Sequence, residues 1–263
     1  MMKLEDGRTL CFGECGAGPP VMLLHPIGLS GSCWSPLAAE LAGHHRVLTP
    51  DLAGHGGTDA PAGPFTIEAL ADDVAELLRA ETSEPAVTVG LSMGGVVALA
   101  LAQRHPDLVG ALVIINSAAR VPDGFADAVR ARADRTRAGG MAAVADETLA
   151  RWFTPAFAAR EPAAVAEIRR QLLAGDPEVH ANAWLALAAA DVEPGLASVR
   201  QPMLVVTGSQ DLSVPAEIGA RTASLAPNGR HVHLEGAGHM SPLEEPARLS
   251  ATIRDFLATN GIR

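Results

Sequence analysis

Short, nearly unbroken apolar runs recur at residues 21–24, 47–48, 87–89, 112–115 and 203–207, and a further strand is expected at 231–234. Runs of this length without polar alternation predict strands buried on both faces. Between them lie stretches with apolar residues at helical spacing, at 37–41, 67–80, 96–105, 216–225 and 246–258. Strand and helix in alternation predict an α/β architecture, a mostly parallel central sheet with helices on both faces. From about 120 to 196 the alternation stops. Ala, Arg, Glu and Leu dominate there and no strand pattern is found, so an all-helical insertion is expected after the sixth strand. The expected organisation is a core domain of residues 1–119 and 197–263 and a helical cap, or lid, of residues 120–196.

Chemistry concentrates where the apolar runs end. The run 87–89 enters Gly90-Leu91-Ser92-Met93-Gly94, and an apolar helical stretch follows. Gly-x-Ser-x-Gly between strand and helix presents a serine on a sharp turn at the positive end of a helix. The glycines let the two elements approach closely. A serine hydroxyl needs a base to take its proton and an acid to orient that base. Asp211 follows the run 203–207, and His239 lies in Gly236-Ala237-Gly238-His239-Met240 after the expected strand at 231–234. Ser92, Asp211 and His239 are thus the expected nucleophile, acid and base. The run 112–115 is followed by Asn116-Ser117-Ala118-Ala119, which offers no carboxylate. Backbone N–H groups of Met93, after the serine, and of Ile27, in His25-Pro26-Ile27-Gly28, are the expected oxyanion hole, since Pro26 has no N–H to donate. His25 reads as a brace of that loop, and Asp51 and His55 as scaffolding of the polar loop 51–59.

Size and charge narrow the partners. The chain has 263 residues, 48% of them hydrophobic, and a formal net charge of −10 without a basic run. A sizeable core is therefore expected, while nucleic acid and anionic membrane surfaces are poor partners. No apolar stretch reaches the roughly 18 residues of a membrane span. Residues 1–6 are too acidic and too short in apolar length for a secretory leader. With three cysteines, Cys11, Cys15 and Cys33, this fits a reducing cytoplasm. His231 and His233 share one side of a strand without a third ligand, so no metal is expected, and nothing calls for a cofactor. The pattern leaves the oligomeric state open.

Over essentially its whole length the chain resembles the α/β-hydrolase superfamily. The likeness rests on His25-Pro26-Ile27-Gly28, residues 51–59, 90–95, 208–215 and 236–246. The insertion is similar to the cap of 3-oxoadipate enol-lactonases at Arg137-Ala138-Gly139-Gly140-Met141, at residues 149–157, and at Leu187 and Asp191. The resemblance implies an α/β-hydrolase fold and a cofactor-free serine hydrolase acting on a small carboxylic ester or enol-lactone through an acyl-enzyme. It also carries over Trp152 as a pocket residue. Trp184, Val214 and Met240 complete the expected pocket. The chain departs from those lactonases at His25-Pro26, where they usually have Asn-Ser, at Ala53, where an arginine is usual, and around Trp184. Carbon–carbon bond hydrolysis, perhydrolysis and, in a different class, a non-catalytic ligand receptor are the competing readings of this fold.

Overall fold

A computed structural model describes residues 1–121 and 124–262. Positions 122 and 123 of the expected cap and 263 of the expected core lie outside the described residues. Among the described residues nine strands form: β1 (Met2–Lys3), β2 (Thr9–Leu10), β3 (Phe12–Cys15), β4 (Pro20–Leu24), β5 (Arg46–Pro50), β6 (Ala86–Leu91), β7 (Val109–Ile115), β8 (Met203–Gly208) and β9 (Gly229–Leu234). β1 and β2 pair separately, and the other seven make one sheet in the order β3-β5-β4-β6-β7-β8-β9. β3 alone runs antiparallel.

β4, β6 and β8 are buried at every position, as their apolar runs predict. Successive side chains on a strand point to opposite faces, so full burial requires cover on both. That cover comes from α1 (Ser35–Leu41), α2 (Ile67–Glu81), α3 (Met93–Arg104), α9 (Ala216–Leu225), α10 (Ser241–Glu244) and α11 (Pro246–Thr259). α1 packs on α11 and α2 on α3. Ile67, Leu70, Ala71, Val74 and Leu78 repeat at helical spacing on α2, and all are buried. Thr66 caps this helix by accepting from the Ala69 N–H at 3.2 Å.

Between β7 and β8 the described residues form five α-helices, α4 (Ala126–Gly139), α5 (Ala142–Trp152), α6 (Pro155–Arg160), α7 (Pro162–Ala174) and α8 (Pro177–Ala189). A single bridge between Arg120 and Asp191 ties the two ends of this insertion together. The insertion follows the apolar run at residues 112–115, but that run is not a sixth strand: β7 is seventh in chain order among the described strands. That strand is fifth in chain order within the seven-stranded sheet, because the β1–β2 hairpin stands apart from it.

Because β4, β5, β6, β7, β8 and β9 all run parallel, their C-terminal ends share one edge. The loops carrying Ile27, Asp51, Ser92, Asn116, Asp211 and His239 therefore meet there. This is the edge at which open α/β sheets bind their ligands.

Candidate active site

Ser92 caps α3 with φ +53° and ψ −118°, a conformation that side-chain-bearing residues rarely adopt. The turn survives because its neighbours lack side chains. A Cβ on Gly90 would lie 2.2 Å from the Gly94 carbonyl oxygen, and one on Gly94 would lie 2.1 Å from the Leu24 carbonyl oxygen. The Ser92 N–H donates to the Ile115 carbonyl at 3.0 Å, and the Ser117 hydroxyl donates to the Ser92 carbonyl at 2.7 Å. The strained residue is thus held from both sides.

His239 and Asp211 meet across 28 residues of sequence. His239 Nδ1 donates to Asp211 Oδ2 at 2.9 Å, with side chains only 2% and 0% exposed. That bond assigns the proton to Nδ1 and leaves Nε2 as an acceptor. The other carboxylate oxygen, Oδ1, accepts from the N–H groups of Ser213 and Val214 at 2.6 and 3.2 Å. Asp211 therefore has a fixed orientation.

Ser92 and His239 line one cavity of about 630 Å³, together with Ile27, Val214, Trp152 and Trp184. The rings of Trp152 and His239 stack at 6.2 Å between centroids. Met240 does not reach this cavity. It is completely buried in the core, and its N–H donates to the Trp152 carbonyl at 3.1 Å. The expected pocket therefore loses this member. Among the described residues, the N–H groups of Ile27 and Met93 have no acceptor within the protein.

The aromatics of the insertion divide in two. Trp152, Trp184 and the exposed Phe125 line the cavity, whereas Phe153 and Phe157 are buried and stack on each other at 5.4 Å. His25 is buried away from the cavity. Its Nδ1 donates to the Pro26 carbonyl at 2.8 Å and its Nε2 accepts from the Leu52 N–H at 2.9 Å. Burial pushes its pKa down to about 3. His55 accepts from the Gly28 N–H at 3.2 Å, and Asp51 accepts from Gly31 and Gly57 N–H groups at 2.7 and 2.8 Å. All three brace loops, as expected. His231 and His233 both contact the Thr207 hydroxyl, at 2.8 and 3.2 Å.

Two supporting residues escaped the sequence reading. Asn116, at φ +46°, donates through Nδ2 to the His239 carbonyl at 2.8 Å and accepts at Oδ1 from the Gly208 N–H at 2.8 Å. It ties the histidine loop to the end of β8. Glu244 is buried and accepts from the Gly238 N–H at 2.8 Å and from the Thr154 N–H at 2.7 Å. It joins the histidine loop to the helical insertion. Each partner lies 90 or more residues away in at least one of these contacts, which no local pattern reveals. Asparagine just past a strand end was the only cue.

A family model described as the alpha/beta hydrolase fold matches residues 19–246. The chain belongs to the α/β-hydrolase family. Within it, the likeness is to the enol-lactonase branch. The chain is 34% identical over 237 residues to 3-oxoadipate enol-lactonase 2 of Acinetobacter baylyi, covering 89% of this chain and 86% of the relative. The crystal structure of the enol-lactonase from Burkholderia xenovorans superposes with a TM-score of 0.91 at 36% identity, covering 96% of this chain and 98% of the other. A thermophilic esterase from Thermogutta terrifontis superposes with a TM-score of 0.90 at 32% identity, covering 97% and 96%.

Proposed function

We propose that this protein is a serine hydrolase that cleaves a small carboxylic ester or enol-lactone through an acyl-enzyme. The observation that carries the reading is a strained Ser92 at a helix N-terminus, sharing a cavity with a histidine oriented by a buried carboxylate. In this reading Ser92 Oγ attacks the substrate carbonyl while His239 Nε2 takes its proton. Asp211 keeps the proton of Nδ1 in place and stabilises the imidazolium that forms. The N–H groups of Ile27 and Met93 receive the oxyanion, aided by the positive end of α3. His239 then protonates the leaving oxygen, and on deacylation it activates water against the acyl carbonyl.

The enol-lactonases among the relatives favour a lactone or short ester over other substrates of the fold. In the same proposal, residues 120–196 act as a cap over the strand ends, contributing Trp152 and Trp184 to the pocket. The three free cysteines fit a reducing cytoplasm. Among the described residues no helix is long and apolar enough to cross a membrane.

A turnover screen of enol-lactones, aryl esters and vinylogous diketone acids tests the reading, with products identified by mass spectrometry. Esters or lactones should yield a carboxylic acid plus an alcohol or a ring-opened keto acid. Ser92→Ala should lower kcat by about 10⁴- to 10⁶-fold, as loss of a triad nucleophile does. Retention of a tenth of the activity, or carbon–carbon cleavage as the main reaction, would overturn it.

A further inference from the structure

The loop that carries the Ile27 N–H is tied to the core by two histidines. Ile27 shares a planar trans peptide with Pro26, so its N–H points opposite to the Pro26 carbonyl. That carbonyl accepts from His25 Nδ1 at 2.8 Å. The next peptide gives its N–H, that of Gly28, to His55 Nε2 at 3.2 Å.

The helical insertion packs onto the same loop. Gly28 takes φ +78°, and a Cβ built on it would lie 2.8 Å from Leu172 Cδ1 on α7 and 2.9 Å from His180 Nδ1 on α8. Gly54, at φ +74° in the loop 51–59, meets Val179 of α8 in the same way, at 2.7 Å. Ring and loop are fitted too closely for a methyl group between them. Close-packed contacts of this kind transmit a displacement.

His180 carries a cost at that position. It is buried, and burial pushes its pKa down to about 3, so the ring is neutral. Nε2 accepts from the Trp184 N–H at 3.1 Å, which assigns the proton to Nδ1. Nδ1 has no partner among the described residues. An apolar side chain would fill this space without leaving a buried donor unpaired. What the imidazole adds is the acceptor for Trp184. Trp184 and Ile27 both line the cavity, whereas His180 is not among its lining residues. The path Trp184–His180–Gly28–Ile27 therefore begins and ends in the cavity and runs behind its wall in between.

We propose that His180 is a positioning residue that holds the Ile27–Gly28 segment against His25 and His55, and so aims the Ile27 N–H at the oxyanion. The proposal rests on the hydrolase reading, and it makes the oxyanion hole depend on the packing of α8 as well as on the core. Such a role acts on the transition state more than on the bound substrate. The substrate for the test is para-nitrophenyl butyrate, and the inhibitor is butyl trifluoromethyl ketone. Ser92 Oγ adds to the ketone carbon, the hydroxyl proton passes to His239, and the C=O pair becomes an oxyanion before the same N–H groups. His180→Ala should lower kcat/KM about 10- to 100-fold, part of what loss of a whole oxyanion donor costs. It should raise the ketone Ki by a similar factor. His180→Gln, which can still fill the space and accept from Trp184, should stay within about fivefold of wild type in both. Partial unfolding lowers kcat and leaves Ki unchanged, so an unmoved Ki in His180→Ala overturns the proposal. An equal loss in His180→Gln and His180→Ala overturns it too. Should His180→Ala fail to fold, His180→Leu takes its place, filling the space without the tie to Trp184, and a wild-type Ki there is the overturning result. A wild type that neither hydrolyses the ester nor binds the ketone removes the hydrolase reading and this proposal together. Turnover with Ki unmoved in the variants removes this proposal alone.

Discussion

Ser92 and His25 show how two polar residues at neighbouring strand ends serve different ends. Ser92 occupies a positive φ beside a cavity, where strain is tolerated because four flanking hydrogen bonds and glycine contacts over-determine it. His25 is sealed in the protein with both ring nitrogens satisfied by backbone groups. Its chemistry is therefore spent on holding the loop that carries Ile27. We expect His239→Ala to lower kcat/KM by about 10⁴-fold or more, the usual loss for a triad base. His25→Ala should instead remove about 1–3 kcal/mol of stability through an unsatisfied Leu52 N–H, with at least about 100-fold less damage to catalysis than His239→Ala. Steady-state kinetics beside chemical denaturation of both variants makes the comparison. A larger catalytic loss in His25→Ala would identify the wrong histidine as the base.

At the scale of elements, the strand ends carry Ser92, Asp211 and His239, and three helices of the insertion, α4, α5 and α8, carry most of the rest of the cavity. The two are clamped together by a few buried contacts. Glu244 bridges the start of α6 to the histidine loop, and the Trp152 carbonyl accepts from the N–H of Met240. Trp152 thereby sits against His239, while Trp184 on α8 sits against Arg132. In the proposed reaction the groups at the strand ends meet only the reacting carbonyl, so discrimination must come from contacts to the remainder of the substrate. Each methylene-sized change in pocket fit is worth roughly 1–3 kcal/mol. Trp152→Ala and Trp184→Ala should therefore change kcat/KM unequally for a bulky and a compact ester. The ratio of kcat/KM values, measured beside thermal melting, checks this. A common factor for every substrate, or loss of the fold, would make both indoles packing residues.

Across the whole molecule, three buried histidines surround the loop after β4. His25 and His55 lie 5.0 Å apart, and a Cβ on Gly28 would come within 2.9 Å of His180 Nδ1. Burial lowers the pKa of all three, to about 3 for His25 and His180. In the unfolded chain each returns to the ordinary histidine value of 6.5. As the pH falls below that value the unfolded chain takes up protons that the native state refuses. Stability is therefore complete above about pH 6.5 and declines toward pH 3, at up to about 1.4 kcal/mol per pH unit for each such histidine. Urea denaturation from about pH 8 to pH 4 should show that decline, and His180→Gln should flatten it. A profile unchanged by the substitution would remove His180 from the account.

The strand runs, the serine turn and the order Ser92, Asp211, His239 were legible in the chain because local rules govern them. Apolar run length, glycine around a positive φ and the position of a residue past a strand end all act within a few residues. The helical insertion was legible as a loss of alternation for the same reason. Tertiary structure alone decided that Met240 turns into the core while Trp184 faces the cavity. It alone placed Asn116 against the histidine loop, Glu244 across the junction with α6, and Arg132 over Trp184. Those facts depend on side chains brought together from distant segments, and on which of two faces a residue shows once the helices are packed. Neither is written in the spacing of neighbours along the chain.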